Sequence, residues 1–308
     1  MLVAASWSPL FEPGFFSSEP VRIALIVGAI TAIVSGIVGV FTVIRGQSFA
    51  GHALSDIGTA GGSAAFLVGA STLYGFVAFN VVAAAIMELI GIRKPRGRDL
   101  ATGIVLGASL GLAALFLYED TITSSTTGAT VNVLFGSIFT LPPGITTVMA
   151  VLGVASVALI AVLYRPLLLS SVSYDLAAAR GVPVRLVGAG YLLALALAVS
   201  MSSVTIGAIL STALLIGPAA IALRVATRTG IAIAVAAAVG VVACWAGTLI
   251  AYDSTAWAGG KAWPVSFCIV AVIFVFYFAS GVVSRLRADR RPATTSDQQT
   301  AVKPIEVA

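Results

Sequence analysis

His52 and Asp56 are the residues of this chain best suited to chemistry. They lie four apart in Arg45-Gly-Gln-Ser-Phe-Ala-Gly-His52-Ala-Leu-Ser-Asp56, and His52 is the single histidine among 308 residues. On a helix that spacing sets both side chains on one face. The sequence around them is apolar, and an ionisable group inside a membrane span is costly enough to mark a substrate or ion path by default. An imidazole and a carboxylate converging one turn apart suit a divalent ion such as zinc or manganese. Imidazole ligates only when neutral, so passage of an ion should weaken in acid. A structural reading competes: both groups hydrogen-bond neighbouring helices, since any good partner relieves a buried carboxylate.

The elements that must hold this pair are set by composition. Hydrophobic residues make up 59% of the chain and charged residues 9%, with a mean hydropathy of +1.08. A soluble domain with a polar surface cannot be built from that, so the expected fold is all-α: a polytopic transmembrane bundle in the plane of the lipid. A span needs about 20 apolar residues. Nine runs qualify, at 21–44, 52–70, 72–92, 99–118, 143–164, 185–203, 207–226, 229–251 and 263–284. Only the short polar interval at 202–206 separates the sixth from the seventh, which makes the expected count eight to nine.

Charge orients the bundle. With the N-terminus outside and the C-terminus cytosolic, the inner loops collect Arg45, the Arg93-Lys94-Pro-Arg96-Gly-Arg98 cluster, Arg165, Arg180, Arg185, Arg224 and Arg228. Of 17 basic residues only Arg22 and Lys261 then fall outside, where Glu119, Asp120 and Asp253 also face. This is the positive-inside asymmetry, and it makes the net charge of +5 a topology signal rather than a nucleic-acid patch. Residues 1–20 read as an interfacial lead-in, 21–286 as the transmembrane domain, and 287–308 as a disordered cytosolic tail. Cys244 and Cys268 sit in separate spans and read as small buried hydrophobes.

Small residues supply helix packing in lipid. Stripes of them occur at Gly28, Ala32 and Gly36, and at Gly103, Gly107 and Gly111. A third group, Gly58, Gly61 and Gly62, lies just beyond Asp56, where it would leave room beside the pair for an ion, a water or a moving neighbour. Segment 119–142 is too polar for a span and reads as an outer loop with a short re-entrant helix shielded by protein. Gly217-Pro218 is expected to kink the seventh span or divide it. Glu88 lies near an inner end, close enough to pair with the Arg93 cluster. Asn80 reads as a helix–helix hydrogen bond, and Glu119, Asp120 and Asp253 either as solvated loop charges or as outer charges that attract a cation or dock a binding protein. Between the fifth and sixth spans, Ser173 can cap a short helix over 174–181 with Asp175 in its first turn and Ala177 to Ala179 within it. Arg180 suits its last turn, Gly181 its left-handed exit, and Pro183 stops it. A capped short helix is marginal in water, so it is read either as an interfacial connector or as a helix stabilised by docking into a partner's groove.

Three ordered blocks carry a family likeness: Arg45 to Gly58, Tyr174 to Pro183, and Thr205-Ile-Gly207-Ala-Ile-Leu-Ser211-Thr-Ala-Leu-Leu-Ile-Gly-Pro218-Ala-Ala220. Over about residues 20–284 the chain resembles the permease subunits of the metal-ion class of bacterial ABC importers, which take up zinc, manganese or iron. The resemblance implies a transport subunit rather than an enzyme, in the bacterial cytoplasmic membrane. It implies a second copy of the chain, two cytosolic ATPases beneath and an extracytoplasmic metal-binding protein above. The divalent ion is then cargo, with no permanently bound cofactor. Tyr174, Asp175, Ala177, Arg180 and Gly181 would dock the ATPase, and His52 and Asp56 would line the ion path. The family's second-span motif usually reads Gly-Asp-Ala-Leu-Ser-His, so the two ligand types have changed places here. No Gly-x-x-x-x-Gly-Lys-Ser/Thr phosphate loop occurs in the 308 residues, which agrees with a separate ATPase. Two other readings stay open: a proton-coupled secondary transporter using the pair as a relay, and a permease for a metal chelate such as a siderophore or cobalamin.

Overall fold

Uncharged apolar runs of span length leave one way to satisfy the backbone in lipid without pairing to a neighbour, and that is the helix. A computed structural model describes residues 15–89, 95–124, 128–136, 138–142, 144–257 and 262–289, and every regular element among them is helical. In chain order these are α1 (Glu19–Ile44), α2 (Ser48–Leu67), α3 (Thr72–Leu89), α4 (Pro95–Ser124), α5 (Gly128–Phe135), a 3-10 turn at Ile138–Thr140, α6 (Ile145–Val172), α7 (Tyr174–Ala179), α8 (Val184–Ile206), α9 (Ala208–Val225), α10 (Thr229–Trp257) and α11 (Val265–Asp289). Eight of them (α1, α3, α4, α6, α8, α9, α10 and α11) are long and apolar enough to cross a membrane. The chain is a multi-pass integral membrane protein.

Helix α2 has span length, 20 residues, but is built from Gly, Ala, Ser and Thr around His52 and Asp56, and most of it is buried. It lies among α3, α4, α8 and α9, so protein rather than lipid is its solvent. Helix α1 runs through the middle of the molecule against α6, α8, α9 and α10. Its small stripe works as expected: a Cβ on Gly36 would come within 2.8 Å of the Ala237 nitrogen, and Gly28 faces Cys244 of the same neighbour, α10. Gly103, Gly107 and Gly111 of α4 behave differently. Among the described residues nothing comes within 4 Å of where their Cβ atoms would stand, so this stripe packs against no described part of the subunit.

Several boundaries depart from the sequence reading. Helix α4 continues through Glu119 and Asp120 to Ser124, so these charges are helical rather than in a loop. Asp120 and Asp253 are buried, at 6% and 3% exposure, and are not solvated. Beyond α4 the short α5 does appear, packed against α2, α8 and α9, with Val133 fully buried. The sixth and seventh spans are separate helices. Their break is the single residue Gly207, while the polar interval 202–206 stays inside α8 and is buried. Gly207 has φ +87° and Gly136, just after α5, has φ +73°. A side chain on Gly136 would run into the Gly207 nitrogen, and one on Gly207 into the Leu134 and Phe135 backbone, which is why glycines stand where the end of α5 meets the α8–α9 turn. Pro218 does not divide α9, which stays continuous to Val225. Residues 1–14 of the lead-in, Arg93, Lys94, Gly259 to Lys261 and the tail from 290 lie outside the described residues.

Polar contacts tie helices together both inside the bundle and at its surface. Asn80 is fully buried and its Nδ2 donates to Ser200 Oγ at 2.9 Å, the helix–helix bond its position suggested. At the basic end of the bundle, Arg224 lies over the Tyr277 ring at 3.8 Å and donates to the Tyr277 hydroxyl, tying α9 to α11. Cys244 and Cys268 are buried free thiols.

Candidate ion site

The α1–α2 turn passes through Gly46 at φ +63°, a conformation that lets α2 start at Ser48 and lie back along α9. From Phe49 to Thr59 the only positions of α2 that are not buried are Phe49, His52 and Asp56, one face at helical spacing. Every other face is taken. Gly51 admits Leu215 of α9, since a Cβ there would meet its Cδ2 at 2.8 Å. Gly58 and Gly62 admit Phe76, and Gly61 meets Gly75 across the α2–α3 seam. These glycines therefore leave no room for an ion, contrary to the sequence reading, because α3 fills the space they open. The room lies instead on the open face.

On that face His52 Nε2 stands 3.4 Å from Asp56 Oδ2, with the side chains 48% and 18% exposed. Two donors each about 2.1 Å from one ion lie roughly 3.0–3.4 Å apart at angles of about 90–110°. The pair as it stands can thus take a single divalent ion between Nε2 and Oδ2 with little movement. Among the described residues no group of three or more His, Cys, Asp and Glu side chains comes together. Two ligands from one subunit suit an ion in transit better than one held permanently.

The other ring nitrogen, Nδ1, lies 3.2 Å from Thr212 Oγ1 of α9. One residue away, Ser55 Oγ lies 2.5 Å from both Ser211 Oγ and the Ala208 carbonyl, and 3.4 Å from Ser203 Oγ. Ser211 and Thr212 are the only hydroxyl residues of α9, and both face α2. Sequence reading reached the block containing them but assigned Thr212 no part. The available signal was a lone hydroxyl pair in an apolar helix.

The second predicted site, around α7, also takes shape. Ser173 Oγ accepts from the Leu176 amide at 3.3 Å, the expected N-cap. Helix α7 ends at Ala179, slightly earlier than the spacing suggested, with Arg180 as its C-cap. The Val182 amide reaches the Ala177 carbonyl and the Gly181 amide reaches Ala178, with Gly181 at φ +77°, so the exit is a Schellman motif. Ala177 is buried, while Tyr174, Asp175, Leu176 and Arg180 are exposed. Nearby, Arg45 Nη1 donates to Ser170 Oγ at 2.9 Å and its guanidinium lies 5.1 Å from the centre of the Tyr191 ring. Arg45 thereby joins the α1–α2 turn to the end of α6, four residues before α7 begins. A cavity of about 580 Å³ opens there, lined by Arg45, Gln47, Glu88, Ser170, Tyr174 and Arg185 among others. Glu88 thus faces this cavity; the Arg93 proposed as its partner lies outside the described residues.

Residues 17–282 match the model of the ABC 3 transport family. The manganese import system permease protein ScaB of Streptococcus pneumoniae is 32% identical over 159 residues, which are 52% of this chain and 55% of ScaB. The manganese transport system membrane protein MntC of Listeria monocytogenes is 26% identical over 173 residues, 56% of this chain and 60% of MntC. The chain therefore spans between about half and three-fifths of the length of the curated relatives it matches. Among solved structures, PsaBC from Streptococcus pneumoniae in complex with Fab superposes with a TM-score of 0.74 at 26% identity, over 87% of this chain and 92% of that one. A metal-chelate type ABC transporter in an inward-facing conformation superposes at 0.66 with 19% identity, over 91% of each chain, which shows a common fold.

Proposed function

Because this chain belongs to the ABC 3 transport family, we propose that it is the membrane-spanning permease of an ATP-driven importer of divalent metal ions, manganese foremost and zinc second. One observation carries the reading: on a mostly buried helix, the face left uncovered holds an imidazole and a carboxylate 3.4 Å apart. The relatives named for manganese supply the choice of cargo. A bare ion suits the pair better than a chelate does, because its donors reach the metal itself only if the coordination shell is open.

The face carrying the pair opens out of the subunit, so a second copy is needed to close the passage. Two copies bring two such pairs to one path. In this reading His52 Nε2 and Asp56 replace part of the ion's water shell, and the short ligand set lets it go again. The exposed Tyr174, Asp175, Leu176 and Arg180 of the α7 region form the docking surface for a cytosolic ATPase. Ala177 is the buried foot of that helix. Movement of α7 reaches the site through the Ser170–Arg45 bond, which ends at the root of α2. An extracytoplasmic binding protein delivers the ion to the opposite end.

The test is uptake of radioactive manganese into proteoliposomes holding the permease with its ATPase and binding protein. His52→Ala and Asp56→Ala should each lower uptake at least about tenfold, the scale on which a lost ligand is felt in other metal sites. Undiminished uptake in both would remove the pair from the path.

A further inference from the structure

We propose that Thr212 is the positioning residue for His52: its hydroxyl holds ring nitrogen Nδ1 and so presents Nε2 to the transported cation. The inference rests on the reading of His52 and Asp56 as the ion's ligands and adds to it a residue on a different helix. A half-exposed imidazole on an open helix face has no packing within the subunit on its free side to fix its rotamer. Two contacts define its pose here, Nε2 toward Asp56 Oδ2 at 3.4 Å and Nδ1 toward Thr212 Oγ1 at 3.2 Å. When the ion takes up Nε2 and Oδ2, only the Thr212 contact is left to orient the ring. A threonine hydroxyl can accept from Nδ1–H, which leaves the lone pair of a neutral imidazole on Nε2, the nitrogen that faces Asp56. The opposite tautomer would aim a proton at the place of the ion.

The surroundings support this division of labour. Helix α9 is apolar apart from Ser211, Thr212 and the terminal Arg224. Ser211 grips Ser55 on the buried face of α2 and fixes how the two helices lie. Thr212, one position on, is only partly buried and reaches around to the open face. Backbone registration therefore does not need Thr212, and its contact serves the ring. Partners of this kind are generally worth about 10–100-fold in metal affinity.

The experiment uses the reconstituted permease, ATPase and binding protein, with manganese uptake measured as KM and Vmax for the parent, Thr212→Val, Thr212→Ala, Thr212→Ser and His52→Ala. Thermal unfolding of each purified permease is followed alongside. Valine keeps the shape of threonine and loses the hydroxyl. We expect Thr212→Val to raise KM about tenfold with Vmax and unfolding temperature near the parent's, and Thr212→Ser to restore KM. An unchanged KM in Thr212→Val and Thr212→Ala, with uptake lost in His52→Ala, overturns the positioning role and leaves the ligand pair standing. Normal uptake in His52→Ala sinks the pair and this inference together. A fall in both unfolding temperature and uptake that serine does not rescue assigns Thr212 to packing and equally overturns the proposal.

Discussion

Position 52 holds the imidazole and position 56 the carboxylate, the reverse of the order usual in the resembling family. Four residues along a helix are about 6 Å, so the exchange moves each donor type by that much along the path. Both orders leave one nitrogen and one oxygen donor on the same face, one turn apart. What differs is the neighbour, since Thr212 stands beside position 52 and its hydroxyl can serve a ring nitrogen or a carboxylate oxygen. The double variant His52→Asp with Asp56→His should therefore transport manganese better than either single alanine variant, with an altered preference between manganese and zinc. Radiometal uptake with each ion alone and in competition measures both. A double variant as inactive as His52→Ala would mean that the site depends on which helix neighbour each ligand has, beyond ligand type. The pair itself was legible from sequence, because an ionisable group in apolar surroundings is conspicuous at any depth. Thr212 was not: a hydroxyl in a helix commonly bonds its own backbone, as Thr42 and Thr248 do here, and the lone Ser211–Thr212 pair in an apolar helix does not say which of the two turns outward.

Small-residue stripes show where pattern ends and contact begins. Gly103, Gly107 and Gly111 make a regular stripe in the sequence, yet among the described residues they meet nothing, whereas Gly61 and Gly75 lie on different helices and bring α2 against α3 backbone to backbone. Spacing announces that a helix can be approached closely; it does not say by what. Gly61→Ala should cost about 1–3 kcal/mol, because a Cβ there runs into the Gly75 carbonyl and the Phe79 ring and neither can withdraw far. Gly107→Ala should be neutral or stabilising by up to about 1 kcal/mol, the ordinary gain of alanine over glycine in a helix. Thermal unfolding of the purified subunit in detergent separates the two. Equal losses would mean that α4 is covered on that face within a single subunit. The helix breaks teach the same lesson. Pro218 looked like a divider and is carried inside α9, while Gly207, one of many glycines, makes the real break because the end of α5 presses on it. That pressure comes from residues about 70 positions away and has no local signature.

At the scale of the whole molecule the open question is which ends lie on which side, and α2 decides it. Counting only the eight helices that are apolar enough to cross, an even number of passages would return the chain to its starting side. Counting α2 as a ninth makes the number odd and sends the two ends to opposite sides. The charges favour nine: Arg45 ends α1, Arg180 caps α7 and Arg185 opens α8, and Arg224 lies in the last turn of α9 with Arg228 in the turn to α10. All of these face one side only if α2 crosses, and that side is then the cytosol. A polar helix can cross because α3, α4, α8 and α9 screen it from lipid, so hydropathy undercounts it. Two single cysteines in cells expressing the chain alone test this, since the native Cys244 and Cys268 are buried at 1% and 2% exposure. Ser17→Cys, in the exposed turn before α1, should react with a membrane-impermeant maleimide from outside. Asp175→Cys, exposed on α7, should react only after the membrane is opened. Labelling of both from outside would mean that α2 enters and leaves on one side. The α7 surface would then face away from any cytosolic ATPase, and the pair on α2 would no longer lie along a route through the bilayer.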